Sequence, residues 1–302
     1  MEAGARTHAP APARRFTGVR QVVADSLEMT KPKVQSLLLF TTITTMYVAG
    51  TPSIGLVLLT CLGGALASGG AGAINHFIDR DIDARMTRTA NRPVPSGRVA
   101  PWAALTYGIV LGICSFSLLA LTVNVLAASL ALSGLLGYVL VYTLWLKRRT
   151  PQNIVIGGAA GAVPPLVAWA AVTGHLSGTA IYLFAIVFYW TPPHFWALSL
   201  LMKDEYASAG VPMLPVVRGE EETRWQILLY TILLVTVTLL PFFFGVFDGL
   251  YLVAALLLGS AFTAMALKLR RDAARRTALK LYLFSLAYLA LLFAAMVADA
   301  RL

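Results

Sequence analysis

The chain has 302 residues, of which 58% are hydrophobic and only 13% charged, yet its formal net charge is +10. Such composition, with apolar runs approaching about 20 residues, excludes an ordinary soluble domain and reads as a polytopic membrane protein. The positive charge calls for no nucleic acid, because basic loops beside anionic headgroups already account for it.

The first stretch, "MEAGARTHAPAPARRFTGVR", is rich in Pro, Ala and Arg and lacks the apolar centre of a secretory signal. It reads as a disordered cytoplasmic tail over 1–29, ahead of a single transmembrane domain over 30–302. Glu2 and two prolines speak against an amphipathic transit helix. Apolar spans follow at about Val34 to Val48, Ser53 to Ile74, Trp102 to Leu121, Val125 to Leu146 and Ile154 to Val172. Further spans run from Ile181 to Met202, Ile227 to Val246, Leu250 to Leu267 and Leu279 to Val297. The expected fold is all-α, a bundle of nine transmembrane helices. Cys61 and Cys114 stand singly inside spans, without metal-ligand or disulfide spacing, and read as small core residues.

Charge placement supports this count. All 24 lysines and arginines except Arg301 precede the first span or fall in the segments after the second, fourth, sixth and eighth. Short loops that carry Lys and Arg stay inside. The N-terminus is therefore expected in the cytoplasm and the C-terminus outside.

Leaving the second span, "NHFIDRDIDARMTRTANRPVPSG" places Asn75, Asp79 and Asp83 four residues apart. On a continuing helix each lies about 40° round from the last, so the three share a face while Asp81 points away. Three oxygen-bearing side chains in line suit a hard cation such as Mg²⁺. A solvated loop of balanced charge is the plainer explanation, but Arg88 and Arg92 follow in the same loop, and Pro93, Pro95 and Gly97 constrain it. Carboxylates for a metal beside guanidinium groups for anionic oxygens is the combination that holds a diphosphate. A hydrocarbon cavity alongside would accept an apolar tail.

In "KRRTPQNIVIGGAAGAVPPLVAW", Lys147, Arg148 and Asn153 could reach a phosphate, while the glycines read as helix-packing residues. In "YWTPPHFWALSLLMKDEYASAGVPMLPVVRG", Pro192 and Pro193 are expected to break or kink the sixth span. His194 follows them, an intramembrane histidine and so a functional candidate, its plainer role being a hydrogen-bonded packing residue.

These three stretches, with the entry "TKPKVQSLLLFTT", resemble the heme-prenylating branch of the intramembrane aromatic prenyltransferase (UbiA) superfamily, in order from Thr30 to Gly219. The resemblance implies a helical bundle around a cavity open to the cytoplasmic side of a bacterial inner membrane. Its substrates would be farnesyl diphosphate and heme b, its cofactor Mg²⁺, and its product a hydroxyethylfarnesyl heme. Heme-copper oxidase biogenesis factors are the partners it suggests. Asn75, Asp79 and Asp83 fall on the first metal motif, and Arg88, Arg92 and His194 on positions tied to heme or its catalysis. Lys31, Lys33 and Lys147 fall near diphosphate-binding positions, with Asn153 and Lys203 taken as further substrate contacts. His194 would either ligate the heme iron or orient the reacting side chain or water. Arg88 and Arg92 would pair with heme propionates or with diphosphate.

The second motif departs from the family pattern. Asp204, expected as a metal ligand, is followed at the fourth position by Ser208 and preceded at the fourth by Leu200, so the aspartate pair is missing. Glu205, not Asp204, would share a helix face with His194. A prenyltransferase acting on a quinone-precursor aromatic acid is the alternative of the same superfamily. A transporter would need ionisable residues along a path through several spans, and the spans are nearly free of charge.

Overall fold

The computed structural model describes residues 18–302, and among these no strand occurs. The helices are α1 (Val19–Met29), α2 (Pro32–Ala49), α3 (Ile54–Ile78), α4 (Arg80–Arg85), α5 (Pro101–Thr122) and α6 (Val125–Leu136). A π-helix (Gly137–Leu146) continues α6 and is followed by α7 (Asn153–Gly161), α8 (Val163–Thr173) and α9 (Gly178–Leu201). The rest are α10 (Lys203–Ser208), α11 (Leu214–Val217), α12 (Gly219–Phe243), α13 (Gly249–Asp272) and α14 (Arg275–Asp299).

A long helical stretch stands at each of the nine expected positions. Among the described residues, seven stretches are long and apolar enough to cross a membrane, which makes this an integral membrane protein. The two that fall short of that measure are α2, which carries Lys33, Gln35 and a run of threonines, and α9, which carries Trp, Tyr, His and the proline pair.

Three local features differ from expectation. Residues 19–29, expected within the tail, form α1, while 1–17 lie outside the described residues. Pro192 and Pro193 do not break α9, which runs unbroken from Gly178 to Leu201. Close packing around Trp190 and Trp196 holds the chain helical there, as neighbouring groups do for prolines in membrane helices. The break falls instead at Ala162, where Pro164 occupies the first turn of a new helix, a position that needs no N–H donor.

Two large cores and two smaller clusters fill the bundle. The larger joins α9, α12, α13 and α14 through buried aromatics such as Trp196, Tyr251, Phe262, Tyr288 and Phe293. The second is built of small residues, with Ala127, Ala128, Ala168 and Ala170 around Met46 and Leu119. Close approach is tightest between α3 and α5: a Cβ at Gly70 would lie 2.7 Å from the Gly108 carbonyl, and one at Gly108 2.8 Å from the Gly70 carbonyl. Only glycine lets the two backbones meet there.

The last helix packs on α2, α9 and α13 and closes the bundle. At its C-terminal end the Asp299 carboxylate accepts from the Asp248 N–H at 2.6 Å and the Tyr251 N–H at 3.0 Å, capping the start of α13. Arg301 donates to the carbonyls of Gly50 and, at 3.0 Å, Tyr47, capping the end of α2 and lying over the Tyr47 ring. The opposite end of the bundle carries the polar site.

Candidate active site

At that end α3 stops at Ile78, but its hydrogen-bond register continues. Asp79 N–H donates to the Asn75 carbonyl at 2.9 Å, and Asp83 N–H to the Asp79 carbonyl at 2.8 Å. The spacing of four therefore keeps Asn75, Asp79 and Asp83 on one face, and they are 2%, 0% and 2% exposed. Asp81 lies off that face, half-exposed, in a two-pronged ion pair with Arg148 at 2.7 and 2.8 Å. That hydrogen bonding holds the Asp81 carboxyl below its ordinary range and raises the Arg148 guanidinium.

Cations meet the buried acids from three segments of the chain. Lys31, between α1 and α2, donates to Asn75 Oδ1 at 2.6 Å, and Asn75 Nδ2 donates to Asp79 Oδ2 at 2.6 Å. Lys147 pairs with the same Asp79 oxygen. Arg92 donates to Asp83 Oδ2 at 2.7 Å, while the Thr89 hydroxyl holds the Asp83 main-chain carbonyl at 2.9 Å. Burial pulls the Lys31 ammonium down to about 7, and the nearby charges of Arg92 and Lys147 add to the effect.

The π-helix explains how one segment supplies several of these groups. In an α-helix Lys147 would point about 180° away from Tyr138. Hydrogen bonds from residue i to i+5 widen the turn to roughly 4.4 residues, which brings the two within about 20° of each other. Lys147 N–H indeed bonds to the Tyr142 carbonyl, five residues back. The result is a single face on which Tyr138 reaches Lys31 at 3.5 Å, Thr143 reaches Asn75 at 3.3 Å, and Lys147 reaches Asp79.

The donor set fits a hard divalent cation. Asn75, Asp79 and Asp83 present amide and carboxylate oxygens along one face, and Asp79 Oδ1 is fully buried with no hydrogen-bond partner, 3.6 Å from Arg148. The oxygens Asp79 Oδ2 and Asp83 Oδ2 are met by an ammonium and a guanidinium, stand-ins for positive charge at those positions. Among the described residues no three His, Cys, Asp or Glu side chains are grouped closely enough to hold a metal by themselves, so Asn75 is part of the donor set.

Asp204 instead lines a separate recess of about 210 Å³ with Lys203, Glu220, Arg224 and Arg275. Lys203 pairs there with Glu220 at 3.1 Å, away from the acid line. The neighbouring Glu205 accepts at Oε2 from the Arg88 N–H at 3.3 Å, joining α10 to the loop after α4. Lys33 and the Arg88 side chain are exposed, and Asn153 is fully buried with its Oδ1 unpaired.

His194 stands apart from this network. Its Nδ1 lies 2.7 Å from Ser285 Oγ on α14, and its ring stacks between Trp190 and Tyr282, with centroids at 4.3 and 4.8 Å. Ser285 Oγ also lies 2.6 Å from the Tyr282 carbonyl, to which only its hydroxyl can donate. The serine oxygen is then an acceptor for Nδ1–H, and Nε2 keeps its lone pair. Sequence reasoning missed Ser285, Tyr282, Tyr138 and Thr143. The first two are distant in the chain, and only a π register places the others on the site.

The profile of the UbiA prenyltransferase family matches residues 38–293. The chain is 55% identical over 284 residues to the protoheme IX farnesyltransferase of Roseiflexus sp. (strain RS-1), covering 93% of this chain and 53% of that one. It therefore spans about half the length of that relative. It is 53% identical to the protoheme IX farnesyltransferase of Symbiobacterium thermophilum, covering 92% of this chain and 95% of the relative. Among solved structures, a digeranylgeranylglyceryl phosphate synthase superposes with a TM-score of 0.77 at 20% identity, covering 94% of this chain and all of that one. A UbiA homolog from Archaeoglobus fulgidus bound to DMAPP and Mg²⁺ superposes with a TM-score of 0.65 at 17% identity, over 90% of this chain and 99% of that one. At such identities the structures establish the fold alone.

Proposed function

The chain belongs to the UbiA prenyltransferase family, and on that premise we propose that it transfers a farnesyl group from farnesyl diphosphate to a vinyl group of heme b. Water adds in the same reaction, and the products are heme O and diphosphate. The observation that carries the reading is the buried line of Asn75, Asp79 and Asp83 met by Lys31, Lys147, Arg92 and Arg148 at one end of an apolar bundle. The name borne by relatives of matching length supplies the acceptor, heme.

The allylic C–O bond breaks with its electron pair leaving on diphosphate. A divalent cation such as Mg²⁺, held by Asn75, Asp79 and Asp83 when bound, would neutralise charge on that leaving group. Lys147, half-buried against Asp79, adds positive charge where it develops, and Lys31 adds its own when an incoming diphosphate favours its protonated form. Asp83 holds the Arg92 fork, leaving its remaining N–H groups for diphosphate or propionate oxygens. A vinyl carbon then bonds to the farnesyl terminus, the porphyrin-stabilised cation takes the oxygen of water, and one proton is released. Nε2 of His194 is the atom available to heme iron or to that water.

We assign all nine long stretches as crossings, with the polar end cytoplasmic in a bacterial inner membrane. The end of α14 caps the end of α2, which requires an odd number of passes between the start of α2 and the end of α14. Nine satisfies this, as does the placement of basic residues.

The test supplies membranes carrying the protein with heme b, farnesyl diphosphate and Mg²⁺, and weighs the porphyrin products by mass spectrometry. A porphyrin heavier by one farnesyl group and one hydroxyl group is expected. An active preparation that prenylates an aromatic acid and leaves heme unchanged would replace this reading with the alternative acceptor.

A further inference from the structure

The first helix is amphipathic in the inverted sense. Val19, Val22, Val23 and Leu27 recur at helical spacing on one stripe and are 79%, 65%, 51% and 57% exposed. The side turned to the protein carries a buried acid beside Met29: Asp25, 3% exposed, pairs with Arg98 at 2.9 Å, and the exposed Glu28 pairs with the same guanidinium at 3.0 Å. A helix bathed in water would present these faces the other way round.

We propose that α1 is an interfacial anchor that lays its Val19, Val22, Val23 and Leu27 stripe into the acyl boundary of the leaflet at the polar end of the bundle. Lipid is the occupant for two reasons. The stripe is continuous with surface the spans already give to lipid, since α1 leads through Lys31 into the exposed Val34 of α2, and Met29 packs with Ala73 of α3 and Ala104 of α5. Close to Ala104, Trp102 is 70% exposed at the first turn of α5, the kind of indole that marks a membrane–water interface. Charge agrees as well: Arg20 at the start of α1 and Lys33 in the first turn of α2 are exposed, where anionic headgroups would meet them, and Arg98 pairs with both acids.

The anchor also bears on the site. Its last residues press on α3, because a Cβ at Gly72 would lie 2.8 Å from the Met29 carbonyl, and they end in Lys31, whose ammonium holds Asn75. Arg98 ties the same helix to the Asn91 carbonyl at 2.8 Å in the loop that carries Arg88 and Arg92. The leaflet surface, α1 and the polar loop thus form one connected unit, whatever chemistry the site performs.

To test this, the full chain with Cys61→Ser and Cys114→Ser receives a single Val23→Cys label, an environment-sensitive fluorophore, in phosphatidylcholine–phosphatidylglycerol vesicles. Lipids carrying a quencher high on the acyl chain should quench it several-fold more than aqueous iodide does, and a label at Ser208→Cys on α10 should show the reverse. Iodide quenching equal to that at Ser208 would overturn the proposal by placing the stripe in water. Protection from both quenchers would also overturn it, placing protein over the stripe, either residues 1–17 or a second copy. As a second arm, Val22→Asp with Val23→Asp should abolish acyl quenching of a Val19→Cys label. Undiminished quenching there would likewise overturn it.

Discussion

Asp79 is the residue on which the site converges, since it accepts from Asn75 and Lys147 and its other buried oxygen, without a hydrogen bond, faces Arg148 at 3.6 Å. Replacing it by Ala removes a carboxylate of the line and leaves the Lys147 ammonium without its anion. Prenyl transfer should fall about 100-fold or more, with the protein still present in membranes, as a turnover assay normalised to membrane content will measure. At His194 the expectation divides by substrate. His194→Ala should raise the KM for heme well above any change for farnesyl diphosphate, and Ser285→Ala, which frees the ring to rotate, should lower activity less, by about 10-fold. Equal loss toward both substrates would make the histidine a packing residue. The line of Asn75, Asp79 and Asp83 was legible because one helical period aligns residues four apart. The partners of His194 were not, because Ser285 and Tyr282 lie on a helix about ninety residues further along and only tertiary packing brings them near.

At the scale of elements, the positions of the long helices were legible from apolar length and from the charges between them, while their irregularities were not. Both proline pairs carry the same local signal, yet Pro164 starts a new helix and Pro192 sits inside one, a choice made by the aromatic packing around α9. The stripe of α1 was present in the sequence as Val19, Val22, Val23 and Leu27 but was hidden by the composition of the tail before it. The π-helix leaves no trace in hydropathy, because every residue of Gly137–Leu146 would serve equally in an α-helix. Its role gives a prediction. Deleting Leu140, a half-exposed residue within it, should restore α-helical register and swing Lys147 by about 60°, away from Asp79. Activity should then fall as far as in Lys147→Ala, while circular dichroism shows the helix content intact. The α3–α5 seam gives another: Gly108→Ala drives a methyl into the Gly70 carbonyl and should cost about 1–3 kcal/mol, measured as a lowered denaturation midpoint in detergent.

For the whole molecule, the fold is a segregation of charge between the two ends of an apolar bundle. One end gathers Lys31, Arg92, Lys147 and Arg148 around buried acids. At the other end Arg301 is the only lysine or arginine among the described residues, and local hydrogen bonding explains its place. It satisfies orphan carbonyls at the end of α2, which have no partner within their own helix. A single cation held at a helix end does not disturb an orientation set by all the others. The topology can therefore be tested by labelling with a membrane-impermeant thiol reagent in a background of Cys61→Ser and Cys114→Ser. Ser208→Cys on α10 should react only in inverted vesicles, and Leu176→Cys, exposed in the turn between α8 and α9, only in right-side-out ones. If both positions react from the same side, the segment from Gly178 to Leu201 does not cross. His194 would then sit in a re-entrant or surface helix, and the acceptor would have to approach it from water rather than from the lipid-embedded cavity that the proposed reaction requires.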